Sequence, residues 1–406
     1  MTTAAPRRPA ASLGTPLLVA AIVLVALNLR GPIVAVSPVV DAIRVDLGVS
    51  AAVAGLLTSL PVLAFALASP PASWLIGRIG AERAMLVGLA VLTAGTVLRS
   101  ADGIAGALVG TAVIGAGITV GNIVIPVVIG RDFPHRSGLL LGVYTATMNV
   151  GSMITLSATV PIAAGTGWRL ALCAWLVLAV AAAVVWTLAT PYRRAQLLCR
   201  EAPDESRPDD SSVAARAPWA RPVGWLLLFA FAGQSFSYYG LTAWLPEILR
   251  DLRGLDATGA GVASSLFQIL AVAGALVTPL VARRTSLRLA FVPVAAGFLA
   301  LPGGLLLAPS LWPLWCSLAG AAQGGGFTVI FSACLAASRD TTENRRMAAF
   351  IQGGGYLLGA LGPFLLGAVH EAVAPPAWDV PLAVVLGALV VLAVAGAAAV
   401  TRVRTQ

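Results

Sequence analysis

The sequence predicts an all-α polytopic membrane protein, with twelve transmembrane helices in two six-helix bundles related by a parallel repeat. Three observations support this fold class: the composition, the recurrence of long apolar segments, and the similarity of the two halves of the chain. The chain is 58% hydrophobic and only 11% charged, with a mean hydropathy of +0.90. Such values are typical of membrane-embedded chains, in which each segment of about 20 apolar residues can cross the bilayer as a helix.

Apolar segments of this length recur twelve times. The predicted spans cover residues 17–40, 50–72, 84–101, 104–130, 137–160, 169–190, 223–245, 258–281, 288–308, 311–337, 346–369 and 379–401. A polar segment rich in Pro, Ser and charged residues follows the sixth span, and this composition is typical of a flexible linker. The predicted organisation is an N-terminal six-helix bundle (1–190), a cytoplasmic linker (191–222) and a C-terminal six-helix bundle (223–406).

The distribution of arginine predicts the orientation of the chain in the membrane. All 26 basic residues are arginines, because the chain contains no lysine. With both termini inside, 20 arginines lie in cytoplasmic segments, five lie in outer segments, and Arg30 lies inside a span. Because basic residues concentrate on the cytoplasmic side, we expect a multi-pass protein of the cell membrane with both termini cytoplasmic. The same distribution accounts for the net charge of +9 without a nucleic-acid partner.

The two halves repeat with an offset of 208 residues. The offset pairs Arg131 with Arg339, Asp132 with Asp340, Arg30 with Tyr238, and Tyr144 with Gln352. Both halves begin on the same side of the membrane, so the repeat is parallel. Transporters built from such halves bind their substrates near the middle of the membrane, between the halves.

Arg30 lies near the middle of the first predicted span. An arginine at the centre of a membrane helix costs about 2.5–3.5 kcal/mol on insertion scales. A water-filled cavity or an anionic ligand would offset this cost, and so would the carbonyl groups of neighbouring helices. Pro32 removes an amide and frees the carbonyl of Asn28, and such breaks are tolerated where the backbone lines a cavity or neighbouring helices compensate. We predict that Arg30 binds substrate, and purely structural contacts between helices are the alternative.

Two short stretches carry a resemblance to known transporters. Residues 73–83 resemble the G-x-x-x-D-R-x-G-x-R/K signature of the major facilitator superfamily at Arg78 and Gly80, with Arg83 one position beyond its final basic residue, although Ser73 replaces its first glycine and Gly77 its aspartate. Residues 27–32 (Leu-Asn-Leu-Arg-Gly-Pro) resemble the first-helix signature of the cyanate/nitroimidazole (CynX/NimT) permease branch. The resemblance extends over nearly the whole chain and implies the MFS fold.

The resemblance also implies a function. It implies a secondary active or facilitative transporter that moves a small solute by alternating access, and the leading hypothesis for the solute is a small, cyanate-like anion. Export of small nitro-heterocycles or drugs is the alternative within transport, and a non-transporting membrane sensor is the alternative of another class. We expect no enzymatic activity, cofactor or metal, because we find no nucleophile–base pair, metal-ligand cluster or nucleotide loop in the sequence.

By the same resemblance, the first, fourth, seventh and tenth spans line a central cavity, and four further spans flank it. The candidate substrate-binding residues are the deep polar residues of these spans, which are Arg30, Asn28, Asn122, Tyr144, Asn149, Tyr238, Tyr239, Gln268, Gln323 and Gln352. The candidate gating residues at the inner helix ends are Arg78, Arg83, Arg131, Asp132, Arg339 and Asp340. The alternative for the neutral residues is an interhelical hydrogen bond, and for the gating residues a role in fixing topology.

The expected partners are a small-molecule substrate and the lipid bilayer, and we expect a monomer. Protons are a candidate coupling ion, although the sequence places no Asp or Glu in the middle of a span. If protons are coupled, a carboxylate at a span end, such as Asp41 or Glu247, or the substrate itself would carry them. The alternative is that these carboxylates cap helices.

Overall fold

The computed structural model describes residues 14–101, 103–198, 218–339, 341–373 and 377–403. The helices of the first half are α1 (Gly14–Asn28), α2 (Gly31–Val34), α3 (Val40–Leu47), α4 (Ala51–Leu67), α5 (Ser69–Ile79), α6 (Ala81–Arg99), α7 (Ile104–Asp132), α8 (Ser137–Ala174) and α9 (Leu176–Leu198). Those of the second half are α10 (Pro222–Arg253), α11 (Ala257–Arg284), α12 (Leu287–Leu307), α13 (Trp312–Ala337), α14 (Thr341–Gly359), α15 (Leu361–Ala372) and α16 (Asp379–Arg402). Short 3-10 segments cover Ser37–Val39, Pro134–Arg136, Pro218–Ala220 and Pro309–Leu311, and the described residues contain no strand.

The helices account for the predicted spans. Within the described residues, nine helical stretches are long and apolar enough to cross a membrane, or ten when the bent pair α4–α5 counts as one span. One of them, Leu139–Ala189, covers both the fifth and the sixth predicted span. Helix α10 is outside this set because polar side chains, among them Gln234 and Tyr238, interrupt its apolar sequence. The predicted all-α membrane fold is confirmed.

Several spans differ in detail from the prediction, and proline and glycine explain the differences. The first span is interrupted between α1 and α2, where Pro32 begins a new helix. The second bends by 56° between α4 and α5. Inside α8, Gly167 has a φ of 78°, which residues other than glycine rarely adopt. This position separates the fifth span from the sixth. Helix α9 reaches Leu198, within the segment predicted as a linker, and residues 199–217 of that segment lie outside the described residues.

Close helix packing stabilises each half. A Cβ atom at Gly274 of α11 would lie 1.7 Å from the Ala321 carbonyl oxygen of α13, and one at Gly324 would lie 2.0 Å from the Ala271 carbonyl oxygen. Such contacts are possible only for residues without a side chain. They matter in lipid because the hydrophobic effect does not drive helices together there, so that van der Waals packing carries the association.

The helix ends form two faces of the molecule. The α5–α6, α7–α8, α11–α12 and α13–α14 connections form the face that we call the termini face. The α3–α4, α6–α7, α10–α11 and α12–α13 connections form the opposite face, which we call the distal face. Two ion pairs join the halves at the distal face: Arg44 with Glu247, at 3.2 Å, and Arg250 with Asp41. We refer to these two pairs as the distal gate.

The helices next to the distal gate also pack across the halves. The Ser37 hydroxyl donates to the Ala243 carbonyl oxygen at 2.5 Å. A Cβ atom at Gly55 of α4 would lie 2.4 Å from the Pro363 carbonyl oxygen of α15. The two halves are therefore in direct backbone contact at this end of the molecule.

Replacing Gly274 by alanine should destabilise the protein, because the added methyl group would lie within bonding distance of a carbonyl oxygen of α13. Overpacking of this kind costs about 1–3 kcal/mol. Gly77→Ala is the matched control, because nothing lies within 4 Å of its Cβ position. Thermal unfolding in detergent should show a lower Tm for Gly274→Ala alone. Equal Tm values for the two variants would contradict the described packing of α11 on α13.

Candidate functional site

A cavity of about 770 Å³ lies between the two halves. Side chains of α4, α7 and α8 in the first half and of α10, α11, α13 and α14 in the second half line it. Its wall includes Arg30 and Tyr238 and continues to Leu141, near the start of α8, and to Leu335, near the end of α13. Both of these helix ends belong to the termini face. The cavity is therefore directed toward the termini face, while the distal gate closes the other end.

Arg30 lies at the interruption between α1 and α2, where the chain turns toward the cavity. Its Nη1 atom donates to Asn149 Oδ1 at 2.9 Å and to the Tyr238 hydroxyl at 3.2 Å. The guanidinium carbon lies 5.1 Å from the centre of the Tyr238 ring. The Tyr238 hydroxyl in turn donates to Gln268 Oε1 at 3.3 Å. Within the described residues both hydrogen bonds of Arg30 use Nη1, so Nε and Nη2 can bind a ligand.

A second buried arginine holds the interruption in place. Arg99, at the end of α6, is only 1% exposed, and its Nη1 donates to the Pro32 carbonyl oxygen at 2.6 Å. A carbonyl at a broken helix needs a donor, because an unsatisfied backbone group is costly away from water. This contact was not predicted, because the arginine distribution indicated only that Arg99 lies in an outer segment.

The cavity has a positive electrostatic character. Among the residues that line it, Arg30 is the only charged side chain, and none is Asp or Glu. The two direct partners of Arg30, Asn149 and Tyr238, are neutral groups. Charges interact more strongly in a low-dielectric cavity than in water. The site can therefore attract and bind a solute that carries a negative charge or a strongly electron-rich group.

Aromatic side chains form a large part of the wall, and most of them were not among the residues predicted from the sequence. The Tyr356 ring packs edge-on against Phe65 and Phe231, with centroid separations of 5.5 and 5.2 Å. Tyr239 packs edge-on against Tyr238 at 4.8 Å. The spacing between Gln352 and Tyr356 was an available signal, because residues four apart share one face of a helix. The cavity thus combines one guanidinium with several rings.

Most of the predicted substrate-binding residues lie in the cavity wall. These are Arg30, Asn122, Tyr144, Asn149, Tyr238, Tyr239, Gln323 and Gln352. Tyr144 donates to Asn122 Oδ1 at 3.1 Å, so these two act as a unit. Gln234, which is not among the ten candidates, also lines the cavity and donates to the Gln323 carbonyl oxygen at 3.0 Å.

Asn28 and Gln268 are not among the residues that line the cavity. The Asn28 amide donates to the Leu24 carbonyl oxygen at 2.8 Å, one turn back on the same helix. The Gln268 amide accepts from Tyr238 and donates to the Thr242 hydroxyl at 3.1 Å. In this conformation Gln268 therefore orients Tyr238, and Asn28 makes a bond within α1.

The predicted gating residues of the first half lie at the termini face. Arg131 binds Glu82 at 2.6 Å, which joins the end of α7 to the start of α6, and it also binds the neighbouring Asp132 at 3.2 Å. Arg78 and Arg83 are exposed. Arg131, Asp132 and Glu82 therefore form a helix-end network within the first half.

In the second half, the Arg339 backbone N–H donates to Glu343 Oε2 at 2.7 Å. The other oxygen of Glu343 accepts from Arg221 at 2.5 Å. Asp340 lies outside the described residues. At the termini face, Glu82 and Glu343 thus each bind an arginine of their own half, whereas the distal gate joins the two halves.

The family model and the curated proteins that this chain resembles all describe membrane transporters. Residues 17–363 match the family model described as Major Facilitator Superfamily. The chain is similar to "Uncharacterized transporter YycB" of Bacillus subtilis (strain 168), with 33% identity over 93% of this chain and 92% of that protein. It is similar to the 2-nitroimidazole transporter of Escherichia coli (strain K12), with 32% identity over 90% of each chain. It is also similar to the cyanate transport protein CynX of the same strain, with 28% identity over 86% of this chain and 89% of that protein.

A solved structure shows the same fold. A bacterial homologue of the human lysosomal transporter Spinster, in an inward-facing and unoccupied conformation, superposes with a TM-score of 0.71. The superposition covers 98% of this chain and 100% of that chain, at 14% sequence identity.

The direction of the cavity can be tested with a matched pair of serine-to-cysteine variants in a background without the four native cysteines. Ser332 lines the cavity, and Ser37 is 2% exposed beneath the distal gate. A cysteine at position 332 should react with a water-soluble maleimide much faster than a cysteine at position 37, because only the first meets water. Equal labelling rates in mass spectrometry would show that the distal face is not closed.

Proposed function

The chain belongs to the Major Facilitator Superfamily of membrane transporters, and from this premise we propose that it moves a small anionic solute across the cell membrane by alternating access. The family and the similar curated proteins are transporters and not enzymes. The transport is secondary active or facilitative. The observation that carries the proposal is Arg30, a guanidinium with neutral protein partners in a cavity between the two halves.

Arg30 has the chemistry of an anion anchor. A guanidinium offers several N–H donors in one plane, which match the geometry of a carboxylate or a linear anion. Asn149 and Tyr238 orient it, and Tyr144 and Gln352 add polar groups to the same cavity. A cyanate-like monoanion would neutralise the one charge of the wall. The likeness to CynX, a cyanate transport protein, supports this solute class.

A second candidate solute is a small nitro-heterocycle. The observation that favours it is the ring cluster of Tyr356, Phe65 and Phe231 within the cavity wall. Aromatic rings bind a planar heterocycle through stacked and edge-to-face contacts, and the oxygens of a nitro group can accept from Arg30. The likeness to a 2-nitroimidazole transporter supports this candidate.

We propose that the described conformation is the inward-open one. The cavity is directed toward the termini face, and the arginine distribution predicts that this face is cytoplasmic. In the alternate conformation the distal gate would separate and the termini face would close, with Arg131 and Arg339 among the contacts. We further propose that the protein works as a monomer, with protons as the candidate coupling ion.

Replacing Arg30 by alanine should abolish transport, because the wall would lose its only charge. A hydrogen bond to a charged group contributes about 1.5–3 kcal/mol, which corresponds to an affinity loss of roughly 10- to 150-fold. Uptake of labelled cyanate into proteoliposomes measures the effect, and thermal shift with cyanate, nitrate or acetate measures binding. Arg253→Ala, at an exposed arginine, is the control and should behave as the unmodified protein.

Unchanged uptake by a folded Arg30→Ala protein would contradict the proposed anion site. Ligand-induced stabilisation without transport in the unmodified protein would favour the sensor alternative.

Replacing Tyr356 by leucine should separate the two candidate solutes. Loss of an aromatic contact costs about 0.5–1.5 kcal/mol in addition to the effect of the lost buried surface area. Binding of 2-nitroimidazole should therefore weaken by about two- to tenfold. Cyanate contains only three atoms and should bind nearly unchanged. Trp219→Leu, at an exposed aromatic residue outside the cavity wall, is the control. If 2-nitroimidazole does not compete with labelled cyanate in the unmodified protein, the nitro-heterocycle candidate fails.

A further inference from the structure

The distal gate and the titratable groups beside it form a cluster that contains more acidic than basic groups. Helix α3 contributes Asp41 and Arg44, helix α10 contributes Glu247, Arg250 and Asp251, and helix α15 contributes His370. With a neutral imidazole, the three carboxylates and two guanidiniums have a formal net charge of −1. Glu247 and His370 are the buried members of this cluster, whereas Asp41 and Asp251 remain in contact with solvent. A buried carboxylate beside further negative charge is unfavourable, because burial removes the water that stabilises its charge. One bound proton would make the cluster neutral.

Glu247 is the carboxylate of this cluster best placed to hold the proton. It is only 6% exposed. Its Oε1 atom lies 3.2 Å from Arg44 Nη1 and 3.8 Å from His370 Nε2. Its Oε2 atom is buried and has no hydrogen-bond partner among the described residues. A buried oxygen without a donor is costly, and protonation of the carboxyl group removes its charge.

The imidazole of His370 is held so that one nitrogen is turned to Glu247. Its Nδ1 atom lies 3.1 Å from the Ala377 carbonyl oxygen, which can only accept, so Nδ1 carries the hydrogen. The Nε2 atom is then a free acceptor on the Glu247 side. Trp378 stacks on the ring at 3.8 Å and donates to Asp251 Oδ2 at 2.8 Å. The geometry fixes the imidazole in one orientation and supplies a second base for a shared proton.

We propose that Glu247 and His370 bind one proton when the distal gate closes and release it when the gate opens. The proton comes from water at the distal face and bonds to a Glu247 oxygen or to His370 Nε2, with the other group as its hydrogen-bond partner. Opening separates Asp41 and Arg44 from Glu247 and returns water to the carboxyl group, so the proton leaves. This inference rests on the proposed alternation between two conformations, and it identifies the coupling or regulatory ion of that cycle.

The direction of the pH effect follows from the two environments of Glu247, which lies beyond the predicted span 223–245. Burial and the nearby Asp41 raise the pKa of Glu247 to about 8 in the closed gate. A hydrated glutamate in the open gate has an ordinary pKa of about 4.3. The closed gate therefore binds the proton more tightly, and lower pH favours closure. Between these two values, one proton changes the ratio of closed to open protein by about tenfold per pH unit.

Opening of the gate can be followed as the distance between spin labels at Val45 and Leu307. These residues are 84% and 89% exposed and lie on opposite halves near the distal face. Val45→Cys and Leu307→Cys are introduced without the native cysteines, and the distance distribution is recorded by double electron–electron resonance in lipid nanodiscs. The closed fraction should rise as the pH falls from about 8 to about 5.5. A closed fraction that does not change over this range would overturn the proposal.

Three variants show which group binds the proton. Glu247→Gln resembles the protonated carboxyl group, so its closed fraction should be independent of pH. Asp46→Asn removes another carboxylate of the same face, one that binds Arg169 within the first half, and it should keep the response of the unmodified gate. A normal pH response in Glu247→Gln, or loss of the response in Asp46→Asn, would assign the proton to another group. His370→Gln should shift the midpoint to lower pH, and an unchanged midpoint would exclude His370 from the site.

The proposed proton site and the proposed substrate site can be refuted independently of each other. Glu247→Gln should still bind the anion at Arg30, as measured by thermal shift with cyanate. Arg30→Ala should keep the pH response of the gate. A gate that responds to pH in a protein that binds no anion would refute the proposed function and leave the proton site intact.

Discussion

The charge of Arg30 is the constraint on which the rest of the structure depends. A guanidinium in the middle of a membrane domain requires polar partners and access to water or an anion. The described partners, Asn149 and Tyr238, supply hydrogen bonds but no negative charge. The remaining requirement is met by the cavity between the halves. A cavity at this depth in turn requires that the halves separate at one face and contact each other at the other.

The two faces meet that requirement with different chemistry. At the distal face, the halves are brought together by the Arg250–Asp41 ion pair, the polar contact of Arg44 with Glu247 and close backbone packing, such as that of Gly55 against Pro363. At the termini face, Glu82 and Glu343 bind arginines of their own half. Ion pairs can separate and form again when water enters, whereas a packed apolar interface separates at a larger cost. A gate of this kind suits a protein that alternates between two conformations.

The cavity wall also explains how proteins with similar sequences can have different solutes. One guanidinium supplies donors for a negative charge, and several rings supply contacts for a planar ring, so the same wall has groups suited to both proposed solutes. The choice between them depends on the remaining polar residues and on the volume near Arg30, rather than on the fold. For this reason the fold relatives at low identity inform the architecture only.

The sequence by itself determined the helical membrane fold and the pairing of Arg30 with Tyr238, because hydropathy and the 208-residue offset are properties of the chain order. It did not reveal the Tyr356 ring cluster or the contact of His370 with Glu247. Those groups come from segments far apart in the chain, and side-chain orientation at a helix interface has no sequence period that marks it. The tertiary structure alone decided which face is closed, because closure depends on how the two halves pack and not on the residues of either half.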